Sequence, residues 1–244
     1  MLNLNGITVR LGGRTILDRA TATLPPYSRV GLIGRNGAGK STLMKVMIGE
    51  LEADEGSMDM PKNTRIGYIA QEAPSGTATP FETVLAGDVE RAALMEEAEH
   101  CADPDRLGEL HERLIAIDAY TAPARAARIL VGLGFDEEMQ GRPLDSYSGG
   151  WKMRVALARI LLMAPDVMLL DEPSMGLAPQ IVEEVFNIVK DLNEKEKVTF
   201  LIAEQNTNMA LKYSDYGYIM ESGRIVMDGL AEDLRTNEDV KEFY

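Results

Sequence analysis

Val30-Gly31-Leu32-Ile33-Gly34-Arg35-Asn36-Gly37-Ala38-Gly39-Lys40-Ser41-Thr42-Leu43 decides the fold class of this chain. Four residues, Val30 to Ile33, form the short apolar run of a strand buried on both faces in a parallel sheet. A glycine-rich turn follows, and then a helical pattern from Leu43 to Ile48 that Gly49 closes. Gly34, Gly39, Lys40 and Ser41 fit the spacing of a phosphate-binding loop, in the strand–turn–helix context that such a loop requires. Glycines let the backbone wrap an anion and point successive N–H groups at it. The helix N-terminus adds its positive partial charge. In that setting Lys40 reaches the β- and γ-phosphates of a nucleotide and the Ser41 hydroxyl binds Mg2+. Taken alone the loop says only nucleotide phosphate, and it suits a kinase, a GTPase or an ATPase equally.

Working outward, apolar residues alternate from Leu2 to Arg10 and strand character returns from Thr15 to Leu24, with Gly12-Gly13 between them as a turn. Past the loop, Ile66 to Ala70 reads as a strand ending at Gln71. From Thr83 to about Phe135 the chain is rich in Ala, Glu and Arg, and Leu107, Leu110, Leu114 and Ile117 fall on one helical face. This segment reads as an all-helical insertion whose charged faces are solvated surface. A helix from Met153 to Met163, a strand from Val167 to Leu170 and an amphipathic helix from Ile181 to Leu192 follow. Further strands occupy Val198 to Ala203, Tyr216 to Met220 and Arg224 to Asp228. Strands alternating with helices around a phosphate loop specify a largely parallel α/β sheet.

Asp171 and Glu172 end the apolar run Val167-Met168-Leu169-Leu170. An acidic pair at that place, at domain distance from a phosphate loop, is a metal and catalytic pair rather than a helix cap. Asp171 holds Mg2+ directly or through water. Glu172 orients and activates the attacking water.

The 244-residue chain carries a net charge of −14 and 45% hydrophobic residues, ordinary for a globular protein with a full core. The acidic balance argues against direct nucleic-acid binding, which needs clustered Lys and Arg. The longest apolar run, Ile160 to Leu170, is broken by Pro165 and Asp166 and falls short of a membrane span. The N-terminus lacks the basic and apolar regions of a signal peptide. One cysteine, Cys101, fits a reducing compartment and reads as an inert thiol. His100 and His111 have no metal-ligand spacing. A cytoplasmic location is expected.

Ser148-Gly149-Gly150-Trp151, preceded by Tyr147 and lying about twenty residues before the acidic pair, brings the whole chain to resemble ABC ATPases. The resemblance implies an α/β P-loop NTPase core with a mainly parallel sheet, an antiparallel N-terminal β-subdomain and an inserted α-helical subdomain. Residues 1–75 and 165–244 are expected to form the nucleotide-binding core, and 76–164 the helical insertion with the signature. It further implies ATP and Mg2+ as ligands. Gly34, Arg35, Asn36, Gly37, Ala38, Gly39, Lys40, Ser41, Thr42 and Gln71 face the nucleotide; Ser41, Gln71 and Asp171 serve the metal; Glu172, Gln205 and Lys40 serve the chemistry. In this family two ATPase domains meet head to tail, so Ser148, Gly149 and Gly150 of one copy face the γ-phosphate held by another. A homodimer formed on ATP is expected.

The two parts of the chain resemble different branches. Up to about Leu170 it is similar to the first domain of ABC-F proteins, soluble double-domain translation factors, through Gly34 to Lys40, the stretch Ala70 to Pro74, the helical segment and the Tyr147 to Trp151 motif. From Asp171 onward it resembles the ATPase subunit of branched-chain amino-acid importers, through residues 171–179, 203–206 and 221–226. That division implies either a recombinant chain, engineered or not, or a divergent natural ATPase that drifted toward both patterns, and leaves two biological settings open: an importer subunit on a permease at the inner membrane, or a ribosome-associated switch. Departures from the family pattern are Tyr147 and Trp151, where leucine and glutamine are usual, Leu11 in place of the aromatic that stacks on adenine, and Ala178 in place of an aspartate. Gln205 stands where the family's switch histidine does, as it also does in the importer subunits resembled. Slow hydrolysis is expected, nearly flat between about pH 6 and pH 8, where a histidine would titrate.

Overall fold

The computed structural model describes residues 1–70, 74–238 and 240. The chain divides into two compact units, one of Met1–Glu72 with Pro165–Tyr244 and the other of Ala73–Ala164.

The first unit holds two sheets. β1 (Leu2–Leu11) and β2 (Arg14–Leu24) form an antiparallel hairpin around Gly12-Gly13, whose φ values of +56° and +77° only glycine adopts readily. β4 (Glu55–Asp59) pairs with the other edge of β1. The six-stranded sheet has the order β5-β6-β7-β3-β8-β9. Here β3 is Arg29–Ile33, β5 Ile66–Ile69, β6 Val167–Asp171, β7 Thr199–Glu204, β8 Tyr216–Glu221 and β9 Arg224–Leu230. Every pairing is parallel except β8 with β9. β6 and β7 are buried along their whole length, which is why they read as unbroken apolar runs instead of alternating ones.

α1 (Lys40–Met47) follows β3 and sends Leu43, Met44 and Met47 into a core shared with both sheets. α8 (Pro179–Glu196) opens on Pro179, buries Val182, Val185, Phe186 and Val189, and stops at Lys197, whose φ of +58° breaks the helix. α9 (Thr207–Tyr213) is capped by the Asn206 side chain, which accepts from the Met209 amide at 3.0 Å. α10 is Ala231–Thr236.

The second unit is helical: α2 (Pro80–Leu85), α3 (Val89–His100), α4 (Pro104–Ala116), α5 (Ala122–Gly132), α6 (Glu137–Gln140) and α7 (Gly149–Leu161). Local signals fix the starts. α2 carries a full capping box between Thr79 and Glu82, and Asp88, Asp103 and Asp136 accept from first-turn amides of α3, α4 and α6. Leu110 and Leu114 are buried while Leu107 and Ile117 are half-buried, so the apolar face read from the sequence is the packed face. α3 buries none of its residues. Among the described residues no helix is long and apolar enough to cross a membrane.

Candidate functional site

The carboxyl ends of three adjacent parallel strands supply the site, the usual place for a ligand in an open α/β sheet. Register makes the alignment: Ile33 of β3 pairs with Glu204 of β7, and Ala203 of β7 pairs with Asp171 of β6. The phosphate loop from Gly34, the acidic pair and Gln205 therefore leave the sheet along one edge.

Packing dictates the glycines of the loop. A Cβ on Gly34 would lie 2.6 Å from the Met220 carbonyl oxygen. Gly39 has a φ of +108°, strained for any residue with a Cβ, and its missing Cβ would lie 2.8 Å from the Leu17 side chain and 3.1 Å from the Ile16 carbonyl oxygen. The loop is tied at both ends, by the Gly34 amide donating to the Glu204 carbonyl at 3.2 Å and the Gly223 amide donating to the Ala38 carbonyl at 2.9 Å. Arg35, Asn36 and Gly37 at its tip are exposed, and Ser41 and Thr42 are half-buried at the start of α1.

Lys40 is 4% exposed, a position a lysine holds only when its charge is matched. Its Nζ donates to the carbonyls of Gly34 at 2.7 Å and Arg35 at 3.3 Å, and lies 3.0 Å from Oε1 of Glu172. In this state the residue read as the general base neutralises the lysine read as the phosphate ligand. Glu172 itself has a φ of +51°, unusual for a residue with a Cβ, and its amide donates to the Ala203 carbonyl at 3.0 Å.

Asp171 is buried at the end of β6. Its Oδ2 accepts from the Tyr68 hydroxyl at 3.1 Å, whereas its Oδ1 is buried with no hydrogen-bond partner among the described residues. An orphaned carboxylate oxygen is costly, and a cation removes that cost. Mg2+ in nucleotide sites characteristically takes one or two protein ligands and completes its shell from phosphates and water. Asp171 fits that role. Groups of three or more His, Cys, Asp or Glu suited to a metal do not occur among the described residues. Burial, with the charge of Asp171 and the hydrogen bond to it, holds the Tyr68 phenol well above the usual tyrosine range, so it stays a donor. Gln71, read as a metal and nucleotide ligand, lies outside the described residues.

A cleft of about 740 Å3 opens beside this edge, with Asn36, Glu172, Ser174, Glu204, Gln205 and Arg235 in its walls. Gln205 is exposed there. Glu204, just before it, is 2% exposed and accepts from the Ser174 amide at 2.9 Å and the Ser174 hydroxyl at 2.8 Å. Burial pushes the Glu204 carboxyl up, the Ser174 bonds oppose the rise, and the charge of Glu172 adds to it. Sequence reading overlooked Glu204, Ser174 and Tyr68. A signal for Glu204 existed, since it ends the apolar run of β7 as Asp171 ends that of β6.

Three further positions were singled out in the sequence: Leu11, the Tyr147 to Trp151 motif and Ala178. Leu11 ends β1 and is exposed, so it is open to an apolar contact. In the helical unit, Ser148 precedes α7 with an uncapped hydroxyl, Ser148 and Gly149 are exposed, and Gly150 is buried. The departures at Tyr147 and Trp151 have a physical reason. Both rings pack on the buried Phe135, with centroids 5.7 and 4.9 Å away, and the Arg154 guanidinium lies 4.5 Å over the Trp151 ring. The Tyr147 hydroxyl donates to the Met139 carbonyl. This cluster anchors the first turn of α7 and leaves the two residues before Gly150 outward. Ala178 precedes α8 without a side-chain cap.

Comparison with known proteins agrees with this fold. The family model described as "ABC transporter" matches residues 17–175. The probable ATP-binding protein YheS of Escherichia coli K12 is 40% identical over 180 residues, covering 72% of this chain and 28% of that protein. ABC transporter F family member 3 of Arabidopsis thaliana is 38% identical over 201 residues, covering 72% of this chain and 27% of that one. The chain thus spans under a third of the length of these relatives. Among solved structures, the ADP conformation of MJ1267, an ATP-binding cassette of an ABC transporter, superposes with a TM-score of 0.80 at 26% identity, covering 100% of this chain and 98% of that one.

Proposed function

We propose that this chain, which belongs to the ABC transporter family of P-loop ATPases, binds ATP with Mg2+ and hydrolyses it as an ATP-sandwich homodimer. The observation that carries the reading is the buried Lys40–Glu172 pair at 3.0 Å, formed where β3 and β6 end and beside the orphaned oxygen of Asp171. A phosphate tail entering the loop offers Lys40 a better anion than its two carbonyls and Glu172. Backbone amides of Gly37 to Thr42 and the start of α1 complete the grip.

Ser41 and Asp171 would hold Mg2+, with Gln71 as the expected third group. The ion, when bound, neutralises charge on the β- and γ-phosphate oxygens. Released from Lys40, Glu172 accepts a proton from water. The water oxygen bonds to the γ-phosphorus as the bond to the β-phosphate oxygen breaks, giving ADP and inorganic phosphate. Gln205 orients water or the γ-phosphate by hydrogen bonding, and as an amide it carries no titrating charge. Ser148 to Gly150 of a second copy supply donors to the far side of the γ-phosphate. Leu11 gives the adenine an apolar contact without stacking, which loosens base selectivity. Glu172→Gln, which retains ATP, is expected to sediment as a dimer with ATP and as a monomer without it. Equal sedimentation in both conditions would contradict the sandwich.

The likeness to an F-family relative favours a second setting, in which ATP binding gates attachment to the ribosome. Co-sedimentation with ribosomes that requires ATP separates this setting from a permease-bound one, which reconstitution with an importer permease tests. A cytoplasmic location serves both. β6, where the likeness changes from one branch to the other in sequence, pairs in register with β5 and β7.

A further inference from the structure

We propose that Glu204 is a positioning residue: its buried carboxylate clamps Ser174 and so sets the loop that carries Glu172 against the strand end that carries Gln205. The inference rests on the reading of Glu172 as the base. Glu172 hangs from β7 on both sides. Before it, its own amide donates to the Ala203 carbonyl at 3.0 Å; after it, the Ser174 amide and hydroxyl reach the two oxygens of Glu204 at 2.9 and 2.8 Å. Between these ties the Met175 amide donates back to the Glu172 carbonyl at 3.0 Å, closing a tight turn. The left-handed backbone at Glu172, with its φ of +51°, persists because the flanks are held.

The same residue reaches a third segment. The Glu204 carbonyl accepts from the Gly34 amide at 3.2 Å, so the first residue of the phosphate loop, the Glu172 loop and Gln205 share one anchor. A carboxylate only 2% exposed is an expensive anchor unless its oxygens are occupied, and both are. The Glu172 side chain must leave Lys40 when a phosphate arrives, while its backbone must not move. Ties made to backbone and to a neighbouring side chain, and none to the Glu172 carboxylate, meet that requirement.

The test uses the full chain, steady-state ATP hydrolysis and titration with ADP. Glu204→Ala is expected to lower kcat by about a hundredfold, the scale of an ångström's misplacement of a reacting group. The ADP affinity and KM stay within about twofold of wild type, because the interaction acts on the chemical step. Ser174→Ala removes only the hydroxyl bond and acts in the same direction more weakly, and the double variant is no worse than Glu204→Ala, which already removes both bonds. Glu204→Gln restores most of the rate, because the amide oxygen takes the Ser174 N–H and the Ser174 hydroxyl turns to accept from the amide nitrogen. Loss of kcat and ADP binding together, a glutamine variant as slow as alanine, or multiplying effects in the double variant overturns the clamp. Should Glu204→Ala unfold, Ser174→Ala and Glu204→Gln carry the same comparisons. A wild type that turns over and is matched by Glu204→Ala overturns the clamp alone; a wild type that binds ADP and releases no phosphate from ATP overturns the hydrolytic reading with it.

Discussion

Glu172→Gln removes the negative charge that Lys40 faces, and its effect on stability is calculable from the site. Both side chains are nearly inaccessible, 4% and 8% exposed, and their charged atoms are 3.0 Å apart. Deleting one partner of a buried pair costs about 3–5 kcal/mol. Lys40 keeps its bonds to the Gly34 and Arg35 carbonyls, and glutamine keeps an acceptor oxygen, so the lower figure of about 3 kcal/mol applies. For a chain of this length that is a fall in Tm of roughly 6–12 °C without nucleotide. Binding ADP reverses the ranking of costs. The wild type must break the ion pair to offer Lys40 to the β-phosphate, and the variant has none to break. ADP is therefore expected to stabilise the variant by about 3 kcal/mol more than wild type, equivalent to roughly a hundredfold tighter Kd. Thermal melts of both proteins over an ADP series measure this, and ADP avoids any difference in turnover. A variant as stable as wild type without ligand, with an equal ADP shift, would refute the linkage between the pair and phosphate binding.

Phe135→Ala empties the centre of the aromatic cluster, costing about 3–5 kcal/mol for the cavity and the lost ring contacts. Because Trp151 is the only tryptophan, a red-shifted emission with ADP binding retained is the expected signature, and unchanged emission would contradict the packing. Tyr68→Phe leaves the second oxygen of Asp171 without its phenol donor, a loss of about 1–3 kcal/mol that Mg2+ with ADP abolishes and ADP alone does not. Burial raises the folded Glu204 above the usual glutamate value near 4.5, so the native state holds that proton longer than the unfolded chain does. Its contribution is fully present below that value and declines as pH rises through the folded pKa. Urea melts across the acid range are expected to show a downward slope there in wild type that Glu204→Gln removes.

Much of this was legible in sequence where local rules suffice. The phosphate loop showed itself because only glycines meet the packing at Gly34 and Gly39, and β6 and β7 because doubly buried parallel strands are continuously apolar. β4 escaped notice for the opposite reason. Glu55 to Asp59 has no apolar alternation, its residues are largely exposed, and it is a strand only through pairing with β1 and the Asn5 bond to Asp59 at 2.8 Å. The partners of the site residues were equally hidden. Nothing near Tyr68 in sequence points to Asp171, or near Glu204 to Ser174, because strand order and not spacing brings them together. Lys40 and Glu172 were each legible, but their mutual ion pair was not, since motif reading assigns both to an absent phosphate.

Phosphate release from ATP with Mg2+ by the purified chain, beside Lys40→Ala and Glu172→Gln, tests the central claim most directly. Linear release by wild type that both substitutions abolish, with ADP still bound by Glu172→Gln, is the expected result. Equal release by either variant would place the chemistry outside the edge formed by β3, β6 and β7, and contradict it.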